Sequence, residues 1–332
     1  MPISNVSVKP KGKALITGIA GFAGSHLAEL LLSEGYSVYG IIAPKERTPN
    51  IGHIKKQVKT EQFDLLRAER AARFIKAVKP DHIYHLAAFA SVGESFANER
   101  LTYEVNFTGT LNLLRAIMKA SYQCKRFLFV SSADTYGLIK PKNRTLTEED
   151  PLNPISPYGV SKAAAESLIE YYEYHHGLPA NRIRAFNHTG PRQSDTYVIP
   201  SFCRQIAEIE AGLKKPEIMV GNLSPKRDFS DVRDIVRGYY LAVSKGKAGE
   251  VYQFCSGRAV SIRTILNSLL KLSSKKIKVT VDKNRFRKSD IPVLRGNNRK
   301  AVKELGWVCR YKLDETLRDT LDFWRAKIRK NS

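Results

Sequence analysis

Short apolar runs alternate with amphipathic stretches along the first half of this chain. KALIT, from Lys13 to Thr17, leads into the glycine-rich GIAGFAG and then into HLAELLLSEG, whose apolar residues recur at helical intervals up to Gly35. A strand, a tight turn and a helix closed by glycine is the simplest reading. YSVYGII and KTEQFD continue as strand-like runs, and so do HIYHLAA, RFLFVSS and NRIRAFN. Helical candidates such as AERAARFIKAVK and NFTGTLNLLRAIMKA precede these last strands. Such alternation predicts an α/β fold, a doubly wound parallel sheet covered by helices on both faces. The pattern loosens in the second half. There HTGPRQSD and LSPKRDF are polar turns between helical runs such as PSFCRQIAEIEAG and DIVRGYYLAVSKG, and DETLRDTLDFWRAKI reads as a packing helix.

Composition narrows the class. With 332 residues, 42% of them apolar, the chain can bury one large core or form two domains. No stretch approaches the roughly 18 uninterrupted apolar residues of a membrane span. The N-terminal MPISNVSVKPKG reads as a floppy leader rather than a signal peptide. Cys124, Cys203, Cys255 and Cys309 form no CxxC pair, and no histidine stands at metal-ligand spacing. A reduced, cytoplasmic protein without metal is expected. Fifty-five Lys and Arg against 32 Asp and Glu leave a formal charge of +23. A basic nucleotide- or RNA-binding protein is the non-enzyme alternative. The cations are spread along the chain without a nucleic-acid-binding motif, so nucleic acid is not the expected partner, and a positive field equally suits an anionic small substrate.

Candidate chemistry then enters. Gly18, Gly21 and Gly24 fall between the first strand and the first helix, where glycines permit a tight turn, close approach to a pyrophosphate and helix packing. A dinucleotide is therefore expected over a helix N-terminus. Asp64 ends a strand-like run where a carboxylate could accept from an adenine amino group. After the second strand no acid occupies the usual 2′-hydroxyl position in YGIIAPKERTPN, and Lys45 and Arg47 could face a 2′-phosphate. NADP is expected, with NAD the alternative. In PISPYGVSKAAAE, Tyr158 and Lys162 share one helix face, and an ammonium there would favour the phenolate.

Taken together, GIAGFAG, HLAA, SSADTYG and YGVSK resemble the extended short-chain dehydrogenase/reductases, over nearly the whole chain. FNHTGPRQ, VGNLSPKRDFSDVRDIV, YQFCSG and RFRKSDIP resemble the branch acting on GDP-linked 6-deoxyhexoses. The resemblance implies a Rossmann-type domain over 11–186, with returning segments near 228–260. A smaller nucleotide-sugar domain would comprise 187–227 and 261–330. It implies Ser132, Tyr158 and Lys162 as the catalytic set, with Asp134 beside them. Phe22, Ala23, Leu65, Leu86, Ala87 and Ala88 would join the glycines, Asp64, Tyr158 and Lys162 around the cofactor. Ser91, Asn187, Val198, Asn222, Arg227, Arg287 and Asp290 would meet a GDP-linked sugar. Relatives read Arg-Pro-x-Glu-x-Pro where this chain has Arg287 to Pro292, which leaves the nucleobase open.

Asp134 bears on the reaction. A 4,6-dehydratase needs an acid–base group beyond Ser-Tyr-Lys, and the family places glutamate there, one methylene longer. A ketone reductase needs no such base, and GIAGFAG is similar to the loop of reductases and epimerases. The expected reaction is NADPH-dependent reduction of the C4 ketone of a GDP-4-keto-6-deoxyhexose. GDP-mannose 4,6-dehydration and nucleotide-sugar 4-epimerisation are the alternatives. Relatives pair through two helices, here NFTGTLNLLRAIMKA and AAAESLIEYYEYHH. With Leu168, Tyr171 and Tyr172 among their apolar residues, a homodimer through a four-helix bundle is expected.

Overall fold

Seven parallel strands form the central sheet, in the order β10-β6-β5-β4-β1-β2-β3. These are β1 (Lys13–Thr17), β2 (Ser37–Ile42), β3 (Val58–Gln62), β4 (His82–His85), β5 (Arg126–Val130), β6 (Ala180–Ala185) and β10 (Val251–Phe254). The structure is a computed structural model, describing residues 10–138, 144–282, 284, 286 and 291–331. Strand side chains point alternately to the two faces, and the core divides accordingly. Ala14, Ile16 and Leu128 pack under helices α1 (Phe22–Ser33) and α8 (Val232–Lys245). Leu15, Phe127 and Phe129 pack under α2 (Ala68–Val78), α5 (Gly109–Lys119) and α6 (Pro157–His176). The expected doubly wound sheet is the one observed, and its strand order reverses between β1 and β4, where such folds open a crevice at the carboxyl ends.

Smaller elements complete the molecule, and of these the turns at Pro49–Ile54 and Ala301–Leu305 pack into the core of the main sheet. Two short helices, α3 (Val92–Ser95) and α4 (Glu99–Tyr103), follow β4. Strand β9 (Lys226–Asp231) pairs with β7 (Asn187–Thr189), β11 (Ala259–Ser261) and β13 (Val293–Leu294), and β8 (Glu217–Val220) pairs with β12 (Lys278–Val281). Helices α7 (Val198–Glu210), α9 (Ile262–Lys271) and α10 (Leu313–Asn331) bury Ile206, Leu269 and Trp324 in one apolar cluster. The terminal stretch is thus the packing helix its periodicity predicts.

Local signals explain the elements that carry polar residues. Ser156 caps α6 by accepting the Gly159 N–H at 3.0 Å, Pro157 opens its first turn, and Gly177 closes it at φ +63°. Helix α5 begins later than its sequence pattern predicts, because Glu104–Thr108 form a π-turn. Within it Asn106 bonds the backbone N–H and C=O of Phe89 at 2.7 and 3.2 Å and the Ser161 hydroxyl at 2.9 Å. The extra residue of a π-turn re-aims a side chain without ending the helix. His85 is also structural: its Nδ1 and Nε2 meet the hydroxyls of Thr17 and Thr110 at 2.7 and 2.9 Å. Burial lowers its pKa to about 3, so it ties β1, β4 and α5 together as a neutral ring.

Helix α1 approaches the first turn so closely that a Cβ on Gly24 would lie 2.2 Å from the Gly18 carbonyl oxygen. The opposing atom is backbone and cannot rotate away. Gly24→Ala is therefore expected to destabilise the protein by about 1–3 kcal/mol, as overpacking does. Chemical denaturation of the variant checks this, and an unchanged midpoint would contradict the packing described.

Candidate active site

The crevice at the strand ends is a cleft of about 880 Å³. Its floor is the glycine turn. Gly18 adopts φ +73°, and a side chain there would crowd the Ala87 backbone at 3.1 Å, so glycine is needed for both reasons. Gly21 is the N-cap of α1, and among the described residues no side chain makes a capping hydrogen bond there. The first amides of α1 are thus presented to the cleft without a side-chain acceptor, and a helix N-terminus in that state suits an anion. On this geometry the site fits a dinucleotide pyrophosphate. Phe22, Ala23, Asp64, Leu65, Leu86, Ala87 and Ala88 line the same cleft, as expected. Of the two cations foreseen after β2, Arg47 lines it and Lys45 does not. Glu46 lines it beside Arg47, its carboxylate accepting the Ala43 N–H at 3.1 Å.

Strand β5 and helix α6 bring the catalytic candidates together. Ser132 follows the buried run of β5, and its hydroxyl donates to Asp134 Oδ2 at 3.1 Å. Tyr158, on the first turn of α6, is 8% exposed, and Lys162, one turn on, is 3% exposed. The tyrosine was expected to have its pKa depressed by the lysine. Instead, burial raises it well above the ordinary phenol value. The Asp134 carboxylate adds to the rise, and a hydrogen bond with Ser132 opposes it. Lys162 Nζ donates to the Val130 carbonyl at 2.7 Å and lies 4.9 Å from the Phe129 ring centre. Burial thus favours the neutral phenol of Tyr158 in the cleft.

The opposite wall comes from the second half. Asn187 and Arg227 line the cleft there, and Ser91, at the start of α3 in the first half, lines it as well. The Asn187 Oδ1 is buried without a hydrogen-bond partner among the described residues. Arg227 Nη1 donates to the carbonyls of Lys226 and Ile291 at 3.0 and 2.5 Å. Val198 and Asn222 are not brought to the lining. Val198 starts α7 and packs on its apolar cluster, while the Asn222 side chain closes a turn by accepting from Ser224 N and Oγ at 3.0 and 2.7 Å. Arg287 and Asp290 lie outside the described residues. Sequence reasoning missed Tyr197, Arg192, Phe323 and Lys327, all of which line the cleft. Phe323 and Lys327 sit on a helix whose periodicity reports packing alone. Arg192 lies in FNHTGPRQ, where no local signal distinguishes it from a solvated turn arginine.

The sequence pattern of the GDP-mannose 4,6-dehydratase family matches residues 15–320. The chain belongs to that family. It is 32% identical to the GDP-6-deoxy-D-mannose reductase of Pseudomonas aeruginosa over 317 residues, covering 96% of this chain and 98% of that one. A solved structure of RMD from Pseudomonas aeruginosa complexed with NADPH superposes with TM-score 0.82 and 31% identity, over 96% of this chain and all of that one. The UDP-glucose 4-epimerase of Thermus thermophilus, solved with NAD, superposes with TM-score 0.85 and 28% identity, over 94% and 99% of the two chains. The extended short-chain dehydrogenase/reductase fold is thus common to all.

In this member of the GDP-mannose 4,6-dehydratase family the electrostatics of Lys162 are open to measurement. Burial lowers its pKa from 10.5 to about 7, and Glu166, one turn further along α6, works in the opposite direction. Unfolded, the side chain holds its proton up to its ordinary value. Between about pH 7 and 10.5 the folded state therefore binds fewer protons, and stability from this group rises with pH. Below pH 7 the full penalty of burying a cation applies. Wild type is expected to gain on Lys162→Met by up to about 1.4 kcal/mol per pH unit across that window. Urea denaturation of both proteins from pH 7 to 9 without cofactor reads the difference, and parallel pH profiles would contradict it.

Proposed function

We propose that this protein reduces the C4 ketone of a GDP-4-keto-6-deoxyhexose with NADPH. The observation that carries the reading is the corner of the cleft where Tyr158 is hydrogen-bonded to Ser132, in a chain 32% identical over 96% of its length to a GDP-6-deoxy-D-mannose reductase. Reducing a ketone needs a proton donor at that point. A 4,6-dehydratase or 4-epimerase would use the same group first as a base and then as an acid. When bound, the nicotinamide cofactor supplies the hydride. Tyr158 gives its proton to the oxygen developing charge at C4, and Ser132 stabilises the same oxygen by hydrogen bonding. Lys162 would hold the nicotinamide ribose, and the α1 amides at Phe22 and Ala23 the pyrophosphate.

Arg47 supports NADP at the adenosine end, and Glu46 beside it is the feature that would admit NAD. Asn187 and Arg227 would take the sugar and the diphosphate, Ser91 the sugar side of the floor. We assign 11–186 with segments near 228–260 to the cofactor, and 187–227 with 261–330 to the sugar nucleotide, except that Ala301, Leu305 and Trp307 pack in the core under α1 and α8. The separate apolar cluster of α7, α9 and α10 supports that division. Four free cysteines support a cytoplasmic location.

A second reading, GDP-mannose 4,6-dehydratase, is favoured by the family match and by Asp134 standing within electrostatic reach of Tyr158. Two incubations separate the readings. Stoichiometric NADPH oxidation with the 4-keto-6-deoxy sugar supports the reductase, and loss of water from GDP-mannose without net cofactor consumption supports the dehydratase. Tyr158→Phe is expected to bind NADPH as wild type does and to lose about 10²-fold or more in turnover. Full activity in that variant would remove Tyr158 as the acid.

We also propose a homodimer through the outer faces of α4, the π-turn, α5 and α6. Tyr172 takes no part, because it is buried in its own core, 6% exposed. Tyr171 and Tyr174 on α6 and Leu101 on α4 are exposed, and Tyr103, Phe107 and Ala164 line an open groove beside them. A monomeric protein rarely leaves so much contiguous apolar surface in water. Light scattering is expected to give twice the chain mass, and Leu101→Glu to halve it. A wild-type monomer at micromolar concentration would refute the dimer.

A further inference from the structure

Arg192 lies in the turn between β7 and α7 with φ +77°, a conformation that residues other than glycine seldom adopt. Its side chain is 13% exposed. Nη1 and Nη2 donate to the two carboxylate oxygens of Glu29 on α1 at 2.8 and 2.7 Å, a fork matched to a carboxylate. Nη1 also donates to the Asn50 carbonyl at 3.2 Å, and Nη2 to Nδ1 of His26 at 2.6 Å. Burial, reinforced by the Arg192 charge, lowers His26 to about 4, so its ring is neutral. The ring Nε2 lies 3.0 Å from the Pro191 carbonyl and 3.3 Å from Arg192 Nε, and it donates to Pro191 in the tautomer that leaves Nδ1 to accept. The Asn50 amide in turn donates to the Ala20 carbonyl in the glycine turn at 3.2 Å. Next to this knot the rings of Phe22 and His188 stack with centres 5.9 Å apart.

Three segments with separate duties in the cleft therefore meet at one guanidinium. Helix α1 opens at Phe22, where the pyrophosphate would lie. Arg47, Pro49 and Asn50 line the adenosine end, and Gln193 to Tyr197 line the sugar side. A ligand that orders the first two segments changes what Arg192 can reach, and Arg192 is continuous in the backbone with the third. We propose that Arg192 is a positioning residue, coupling occupancy of the dinucleotide side to the shape of the sugar-side wall and so setting affinity for the sugar nucleotide. The identities of the two ligands rest on the function proposed above. The planar fork suits the arrangement, because a lysine ammonium is a single point that does not reproduce two parallel bonds to Glu29 together with those to Asn50 and His26.

The test uses the full chain, with amide hydrogen exchange over residues 190–197, NADPH titration by calorimetry and steady-state kinetics. In wild type, NADPH is expected to slow exchange over that segment about tenfold, a usual size for coupling between sites. In Arg192→Met the protection disappears while NADPH affinity stays within about threefold, and KM for the keto sugar rises about tenfold with kcat little changed. Arg192→Lys is expected to behave like Arg192→Met. A stabilising brace alone would lower resistance to denaturant without separating KM from kcat. Should Arg192→Met not fold, Glu29→Gln decides on the same readouts, since the Glu29 side chain is 35% exposed. Retained protection of 190–197 in the variants, an unchanged KM, or no protection by NADPH in wild type each overturns the coupling. NADPH protection in wild type with turnover of a different sugar nucleotide would overturn the proposed substrate and leave the coupling standing, to be read in that substrate's KM.

Discussion

The catalytic corner depends on how α6 is locked to strands β5 and β6. Glu166 accepts from Arg184 Nε and Nη2 at 3.0 and 2.9 Å and also from the Ser131 hydroxyl, and all three residues are buried. Such a pair is costly to desolvate and demanding in geometry, so its value lies in holding one arrangement. Ser131 immediately precedes Ser132, and Glu166 lies one turn beyond Lys162. One buried contact thereby sets the spacing between the serine and the tyrosine–lysine face. Arg184 Nη1 extends the lock to the Tyr136 hydroxyl at 3.2 Å and the Glu148 carbonyl at 2.9 Å. Gln253 on β10 continues it through Leu146 and Asn297, bonded at 2.7 and 2.9 Å.

Burial also decides the charge states around the cleft. His85 and His26 are neutral, Tyr158 keeps its proton, and the Lys162 cation is weakened. In each case the leading cause is loss of water around the charged form, ahead of any neighbouring charge. The excess positive charge of the chain enters the cleft as Arg47, Arg227 and Lys327, distributed along its walls, while the Arg192 charge is paired with Glu29. That arrangement suits an elongated ligand carrying phosphates at two places better than a single compact anion.

Several features were readable before any coordinates. Alternating runs such as KALIT and RFLFV specify strands whose two faces are both buried, and the order of strands and helices specifies a parallel sheet. Ser156, Pro157 and Gly177 mark the ends of α6 by local chemistry, so Tyr158 and Lys162 share a face wherever that helix is placed. Periodicity misled where a side chain had a second task. Tyr172 looked available for pairing and is core, and the terminal helix looked like packing and also delivers Phe323 and Lys327 to the cleft.

What the sequence by itself determined is whatever depends on neighbours a few residues away: strand and helix periods, capping, the glycine turn, and the i, i+4 pairing of Tyr158 with Lys162. Tertiary structure decided the rest, because pKa values and site membership depend on atoms distant along the chain. Lys162 donates to Val130, 32 residues earlier, and Arg192 grips Glu29, 163 residues earlier. Whether the lysine acidifies the tyrosine, and whether an arginine in a turn stands idle or joins three segments, follows from burial and long-range contact. Local patterning carries no record of either.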